Sequence, residues 1–226
     1  MKNFSNTLVR VIFPKFLNYG ILAVILLSIF YSIWIGYIGG IIRGTVFFFF
    51  GCLPLMFRRK WGLPLSHGFI SLVMVFLFLH VMGNLVGWYE TFYPVYELLM
   101  HFFGAFILTL IIVIIFTGLD VYEKNISLSL PIILFIALLF TNAFGGFWNI
   151  GEYFFDQWLN LFNLHTLQNA IYDMVNNLMG SILAIIVSRR MIANTSKEEF
   201  LKLFGLEKEP ALRIGRAVVS KVGKDL

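Results

Sequence analysis

Apolar residues run through this chain in long blocks, with polar residues gathered between them. Six blocks approach or reach the ~20 residues needed to cross a bilayer core. They predict spans at about Phe16 to Ile38, Gly39 to Phe57, His67 to Gly87, Tyr96 to Gly118, Ser129 to beyond Glu152, and Asn169 to Ser188. The second is short, with Arg43 near its start and Pro54 near its end. The fifth is longer than one bilayer needs, which predicts tilt or protrusion. A transmembrane β-barrel would instead alternate in segments of ~10 residues. The predicted fold is therefore all-α: a polytopic six-helix membrane bundle. The connections are short, so residues 16–190 form one transmembrane domain between an N-terminal segment, 1–15, and an amphipathic tail, 191–226.

Composition agrees with that class. The chain is 59% hydrophobic and 13% charged, whereas a soluble domain is nearer half apolar and a quarter charged. Cys52 is the single cysteine, so neither an internal disulfide nor a cysteine metal cluster is available. The start, "MKNFSNTLVRVIFPKF", scatters its charges and has no small-residue cleavage pattern after the first apolar run, unlike a signal peptide.

Charge then orients the bundle. With the N-terminus cytoplasmic, every Lys and Arg except Arg43 falls on the cytoplasmic side, as the positive-inside rule requires. Both termini are thus expected in the cytoplasm of a multi-pass plasma-membrane protein. The net charge of +5 reflects this rule and points to no nucleic-acid partner. The expected partners are membrane lipids; oligomeric state is not readable. In the tail, "SKEE" has the form of a capping box, Ser196 with Glu199, opening a short helix that Gly205 would end. That helix is expected to pack on the cytoplasmic ends or, less favoured, to bind a partner.

The acids segregate. Glu90, Glu97, Glu152, Asp156 and Asp173 all fall in the outer half or outer loops, as do His80, His101 and His165. Residues three and four apart share a helix face. Glu97, His101, Gly104, Ala105 and Leu108 then line up on the fourth span, and His80, Gly83, Asn84 and Gly87 on the third. Asn142, Gly145, Asn149, Glu152 and Asp156 form a stripe on the fifth, and Asp173, Asn177, Gly180, Ser181, Ala184 and Ser188 one on the sixth. Polar and small residues on one face suit close helix packing. Ionisable residues at membrane depth point to function by default. The four faces together predict a polar pocket opening outward. Glu90, beside Trp88 and Tyr89 in an aromatic belt, is expected to be a solvated loop acid.

Several chemistries fit such a pocket. Glu97 and His101, at i and i+4, can share a metal. His80, Glu152, Asp156 and Asp173 can complete a mixed nitrogen–oxygen site for a divalent Zn, Mn or Fe ion. Without a metal, His101 with Glu97, Glu152 or Asp173 can act as acid and base. The same groups also suit a proton or cation path. Arg43, Tyr96, Asn142, Asn149, Gln168 and Asn177 are the candidate substrate contacts. HExxH, GxSxG, P-loop and dinucleotide motifs are absent from the sequence.

"LHVMGNLVGWYETFYPVYELLMHFFGA", Leu79 to Ala105, is similar to the signature of YjdF-like inner-membrane proteins: LHxxG, a Tyr/Pro-rich loop, then YDRxxHFxxG. His80, Gly83, Tyr96, His101, Phe102 and Gly104 match. Glu97 stands where that pattern has Asp, and Leu98 where it has Arg. "FWNIGEYFFD" and "TLQNAIYDMVNNLMGS" resemble the family's WExxE, Asp, Gln and DxxxxxxG run, through Glu152, Asp156, Gln168, Asp173 and Gly180; Asn149 replaces the first Glu. The order also resembles the wider VanZ-like group, which is associated with glycopeptide-antibiotic resistance. The resemblance covers about Ser66 to Ser188. It implies a small helical membrane protein that holds these polar positions together, and it names no activity. Three readings stay open: a metal-dependent enzyme on a lipid or lipid-linked headgroup, a small cation- or proton-coupled transporter or channel, and a non-catalytic scaffold.

Overall fold

The computed structural model describes residues 15–60, 65–159 and 167–206. Six long helices carry the six predicted spans: α1 (Lys15–Trp34), α2 (Ile38–Lys60), α3 (His67–Val86), α5 (Val95–Tyr122), α6 (Leu130–Leu159) and α7 (Leu167–Asn194). Two short helices join them, α4 (Trp88–Thr91) after α3 and α8 (Lys197–Leu203) after α7. Among the described residues there is no strand. In lipid every backbone polar group must be satisfied within the protein, and a helix does this within one segment.

The ends of the helices are set by local chemistry. Ser66 caps α3, its Oγ accepting from the Phe69 N–H at 3.2 Å. Gly87 ends α3 at φ 80°, where its N–H donates to the Gly83 carbonyl; only glycine takes that conformation at little cost. Pro54 sits inside α2, which membrane helices tolerate when neighbours re-satisfy the backbone. The fifth span does exceed one bilayer, since α6 has 30 residues. The sixth is longer than its sequence pattern predicts: α7 continues past Ser188 to Asn194.

Short connections make neighbouring spans antiparallel. One end of the bundle carries α4, the start of α5 and the start of α7. The other carries α8 and is called here the tail end. The spans fall into two groups of three, α1–α3 and α5–α7, each packed chiefly within itself. Ile25, Phe47, Ile70 and Met74 form the core of the first group. Val113, Ile133, Ala137 and Ile192 form that of the second. The groups touch sparingly, mainly through α3 and α5.

Polar pairs stitch each group. The Ser71 hydroxyl donates to Asn18 Oδ1 at 2.5 Å between α3 and α1. Thr109 donates to Thr141 at 2.9 Å between α5 and α6, and Asn142 to Ser181 at 3.1 Å between α6 and α7. Each such bond contributes about 0.6 kcal/mol in a membrane bundle.

The tail helix packs on the bundle. Ser196 caps it, accepting from the Glu199 N–H at 3.1 Å, and Gly205 follows it at φ 86°. Phe200 and Leu201 are fully buried in the second core. The Lys197 ammonium donates to Asp120 at 2.6 Å and to the Leu128 carbonyl at 2.9 Å. It thereby ties α8 to the end of α5 and to the loop before α6.

Candidate functional site

The site begins with a glycine. A Cβ on Gly180 of α7 would run into the backbone carbonyl of Phe102 on α5. With hydrogen there instead, the two helix backbones touch. Asp173 lies seven residues, two turns, before Gly180 and so on the same face. His101 is the neighbour of Phe102, and Glu97 is one turn before it. The close approach at Gly180 therefore carries Asp173 into the ring of Glu97 and His101.

One donor atom from each of Glu97, His101 and Asp173 lies within 4.8 Å of the others. His101 Nε2 is 3.6 Å from Asp173 Oδ1. Asp173 is 0% exposed, and neither of its carboxylate oxygens has a hydrogen bond. Buried polar groups are almost always hydrogen-bonded, and a lone buried charge is costly. Ligand atoms on a tetrahedral ion with bonds of 2.0–2.1 Å stand about 3.4 Å apart, so small side-chain rotations would close this set around a cation. One imidazole and two carboxylates make a mixed donor set that suits Zn, Mn or Fe and leaves a coordination position open.

Glu97 is itself held. It is 8% exposed, and Asn169 Nδ2 donates to its Oε1 at 3.2 Å. Asn169 Oδ1 in turn accepts from the Tyr93 hydroxyl at 3.2 Å. The sequence pattern marks Asn169 as a span boundary, not a site residue. The signal for it was its place one turn before Asp173, on the stripe that runs on through Asn177 and Ser181.

The remaining candidates are distributed as follows. Glu152 of α6 is within electrostatic range of Asp173, Glu97 and Arg43; it bonds to the Trp148 side chain, and its Oε2 is buried without a hydrogen bond. His80 of α3 stands outside the three-residue group. Its Nδ1 is 2.7 Å from the Tyr89 hydroxyl, and its ring packs on Phe47, with centroids 4.4 Å apart, and on Trp148. Tyr89 thus turns inward to His80, where the sequence pattern placed it in an aromatic belt. Burial, Tyr96, Glu152 and Glu97 together push its phenol well above the ordinary value, and it stays protonated. Glu90 is exposed.

Arg43 lies beside Asn84, within electrostatic range of His80, Tyr89 and Glu152. The Tyr96 hydroxyl donates to the Leu79 carbonyl at 2.7 Å, joining α5 to α3. Asn149 Nδ2 donates to the Ala170 carbonyl at 3.2 Å. Asn142 is taken up by Ser181 and its own helix. Gln168 is exposed and bonds to Tyr172. Asn177 is 5% exposed and its Nδ2 has no hydrogen-bond partner. The side chain of Asp156, and all of His165, lie outside the described residues.

Next to the cluster a cavity of about 740 Å³ opens between the two helix groups, within the 300–1,000 Å³ of typical ligand sites. His80, His101, Trp148 and Asn177 are among the residues that line it; Glu97, Glu152 and Asp173 are not. His101 alone is common to the carboxylate cluster and the cavity wall.

A family model described as a predicted membrane protein, DUF2238, matches residues 17–194. The chain belongs to the DUF2238 family. The match runs from the start of α1 to the end of α7, so it takes in both helix groups and every residue of the cluster. It agrees with a YjdF-like membrane protein. Comparison with curated proteins and with solved structures returned no match. The DUF2238 description assigns a membrane location and no reaction, so chemistry has to be argued from the cluster.

Proposed function

We propose that this protein is a membrane-embedded, metal-dependent enzyme acting on the headgroup of a lipid or lipid-linked molecule. The observation that carries this reading is Asp173: a carboxylate shut from solvent, neither oxygen hydrogen-bonded, beside His101 and Glu97. A divalent cation would balance its charge and give its oxygens a partner. Glu97, His101 and Asp173 would hold the ion, and Asn169 would orient Glu97. A bound ion of this kind lowers the pKa of coordinated water and polarises a headgroup oxygen. We assign Glu152 the role of accepting the water's proton. The positive-inside rule supports cytoplasmic termini and, with them, a cluster toward the outer leaflet of the plasma membrane we propose for this protein.

Metal analysis of protein purified in mild detergent without chelator tests this. The wild type is expected to hold near-stoichiometric Zn, Mn or Fe, and His101→Ala and Asp173→Asn to lose it. Metal-free wild type that takes up none on adding it back sinks the reading. A cation- or proton-coupled transporter is the second reading. It is favoured by the electrostatic interactions that link Arg43 to His80 and to Glu152, and Glu152 to Asp173. Ion or proton flux into liposomes that vanishes in His101→Ala would select it.

A further inference from the structure

We infer that the cavity holds the chain of a long single-chain lipid, a polyisoprenoid phosphate, with its head at the cluster. This rests on the reading of the cluster as a headgroup site; the chain's fit is argued separately.

The first argument is length. Cavity-lining residues recur every seven positions along α5, at His101, Leu108, Ile115 and Tyr122. At 1.5 Å per residue, this face runs about 31 Å, against a hydrocarbon core of about 30 Å. The groove therefore spans the bilayer core. An ordinary glycerolipid acyl chain crosses one leaflet, about 15 Å, and would fill half of it. A long isoprenoid chain can follow the whole length.

The second argument is access. Phe50 of α2, Ile115 of α5 and Phe144 of α6 line the groove and are also 41%, 51% and 51% exposed. The groove opens sideways, between the helix groups, to the surface that faces hydrocarbon. A lipid can enter from the bilayer with its chain never leaving apolar surroundings.

The third argument is polarity. The wall is apolar along most of its length; His80, His101 and Asn177 stand at the end next to the cluster, and Tyr122 and Glu123 at the other. Asn177 Nδ2 is a buried donor without an acceptor, which a headgroup oxygen would satisfy. Arg43, within electrostatic range of His80, and a metal at the cluster would favour a phosphate. At the tail end the groove is lined by Leu65, Tyr122, Glu123 and Leu206; the Tyr122 hydroxyl donates to the Leu206 carbonyl at 3.0 Å.

The experiment compares three lipids in nanodiscs: undecaprenyl phosphate, farnesyl phosphate and dioleoyl phosphatidate. They share the phosphate and differ in chain. Binding is read by native mass spectrometry together with bound metal. Undecaprenyl phosphate is expected to bind more than about tenfold tighter than either of the others. A Cβ at Gly118 meets nothing within 4 Å, so Gly118→Phe should fill the groove, abolish the preference and leave bound metal unchanged. Leu108→Trp is the second filling variant, should Gly118→Phe not fold. Asp173→Asn should lose the metal and keep the preference for the longer chain. Equal affinity for the three lipids overturns the inference, as does a preference for phosphatidate or a preference that survives both filling variants. Loss of metal in wild type with the chain preference intact would instead count against the enzyme reading alone.

Discussion

His101 Nε2 on α5 faces Asp173 Oδ1 on α7 at 3.6 Å, across two helices whose backbones touch at Gly180 and Phe102. The distance suits an ion pair but exceeds a good hydrogen bond. Asp173 is thus held beside an imidazole nitrogen without a hydrogen bond. This relationship sets the expected behaviour of the site.

Asp173→Asn keeps the shape and removes the charge. With metal stripped, the variant should melt several degrees above wild type, because an uncompensated buried carboxylate is destabilising. With metal in excess the order should invert, since only wild type gains binding energy. Thermal melts with and without chelator check both signs. A variant that melts below wild type under both conditions would show that the pair with His101 stabilises the fold by itself.

Gly180→Ala forces a methyl group onto the Phe102 carbonyl. Overpacking of this kind costs about 1–3 kcal/mol, and here it would also move Asp173 away from His101, so stability and bound metal should fall together. Gly146→Ala is the control, since a Cβ there meets nothing within 4 Å. That change should be neutral or slightly stabilising, given alanine's better helix propensity.

Asn169→Ala removes the donor that holds Glu97. Loss of an orienting partner typically lowers metal affinity about 10–100-fold. Titration of the metal-free protein should show that loss, together with a lower melting temperature, because Glu97 stays buried without its donor. Tyr93→Phe, one hydrogen bond further out, should show a smaller loss of the same sign.

Lys197→Ala tests the tail. It deletes the ammonium bonded to Asp120 and to the Leu128 carbonyl, and leaves Asp120 only the Leu128 N–H. A hydrogen bond to a charged group contributes about 1.5–3 kcal/mol. Limited proteolysis should therefore cut after Asn194 faster than in wild type, while bound metal stays the same. Unchanged cleavage would mean that Phe200 and Leu201 anchor the tail without help.

The six spans, the capped tail helix and the shared face of Glu97 and His101 are legible in the sequence. A long apolar run in lipid has one local solution, a helix that satisfies its own backbone, and helical spacing then sets which residues share a face. Partners across helices were much harder to read. Four polar and small-residue faces looked alike in the pattern. Which of them meet depends on how each helix is rotated about its axis.

The sequence by itself therefore determined the class, the six helices and the polar faces they present. Only the tertiary structure decided that Asp173 and Asn169 join Glu97 and His101, while His80 turns to Tyr89. The physical reason lies in contacts such as Gly180 on Phe102: a missing side chain lets two backbones touch there and orients every residue along both helices. The same is true of the groove, which exists because α1–α3 and α5–α7 each pack within themselves and leave a gap between.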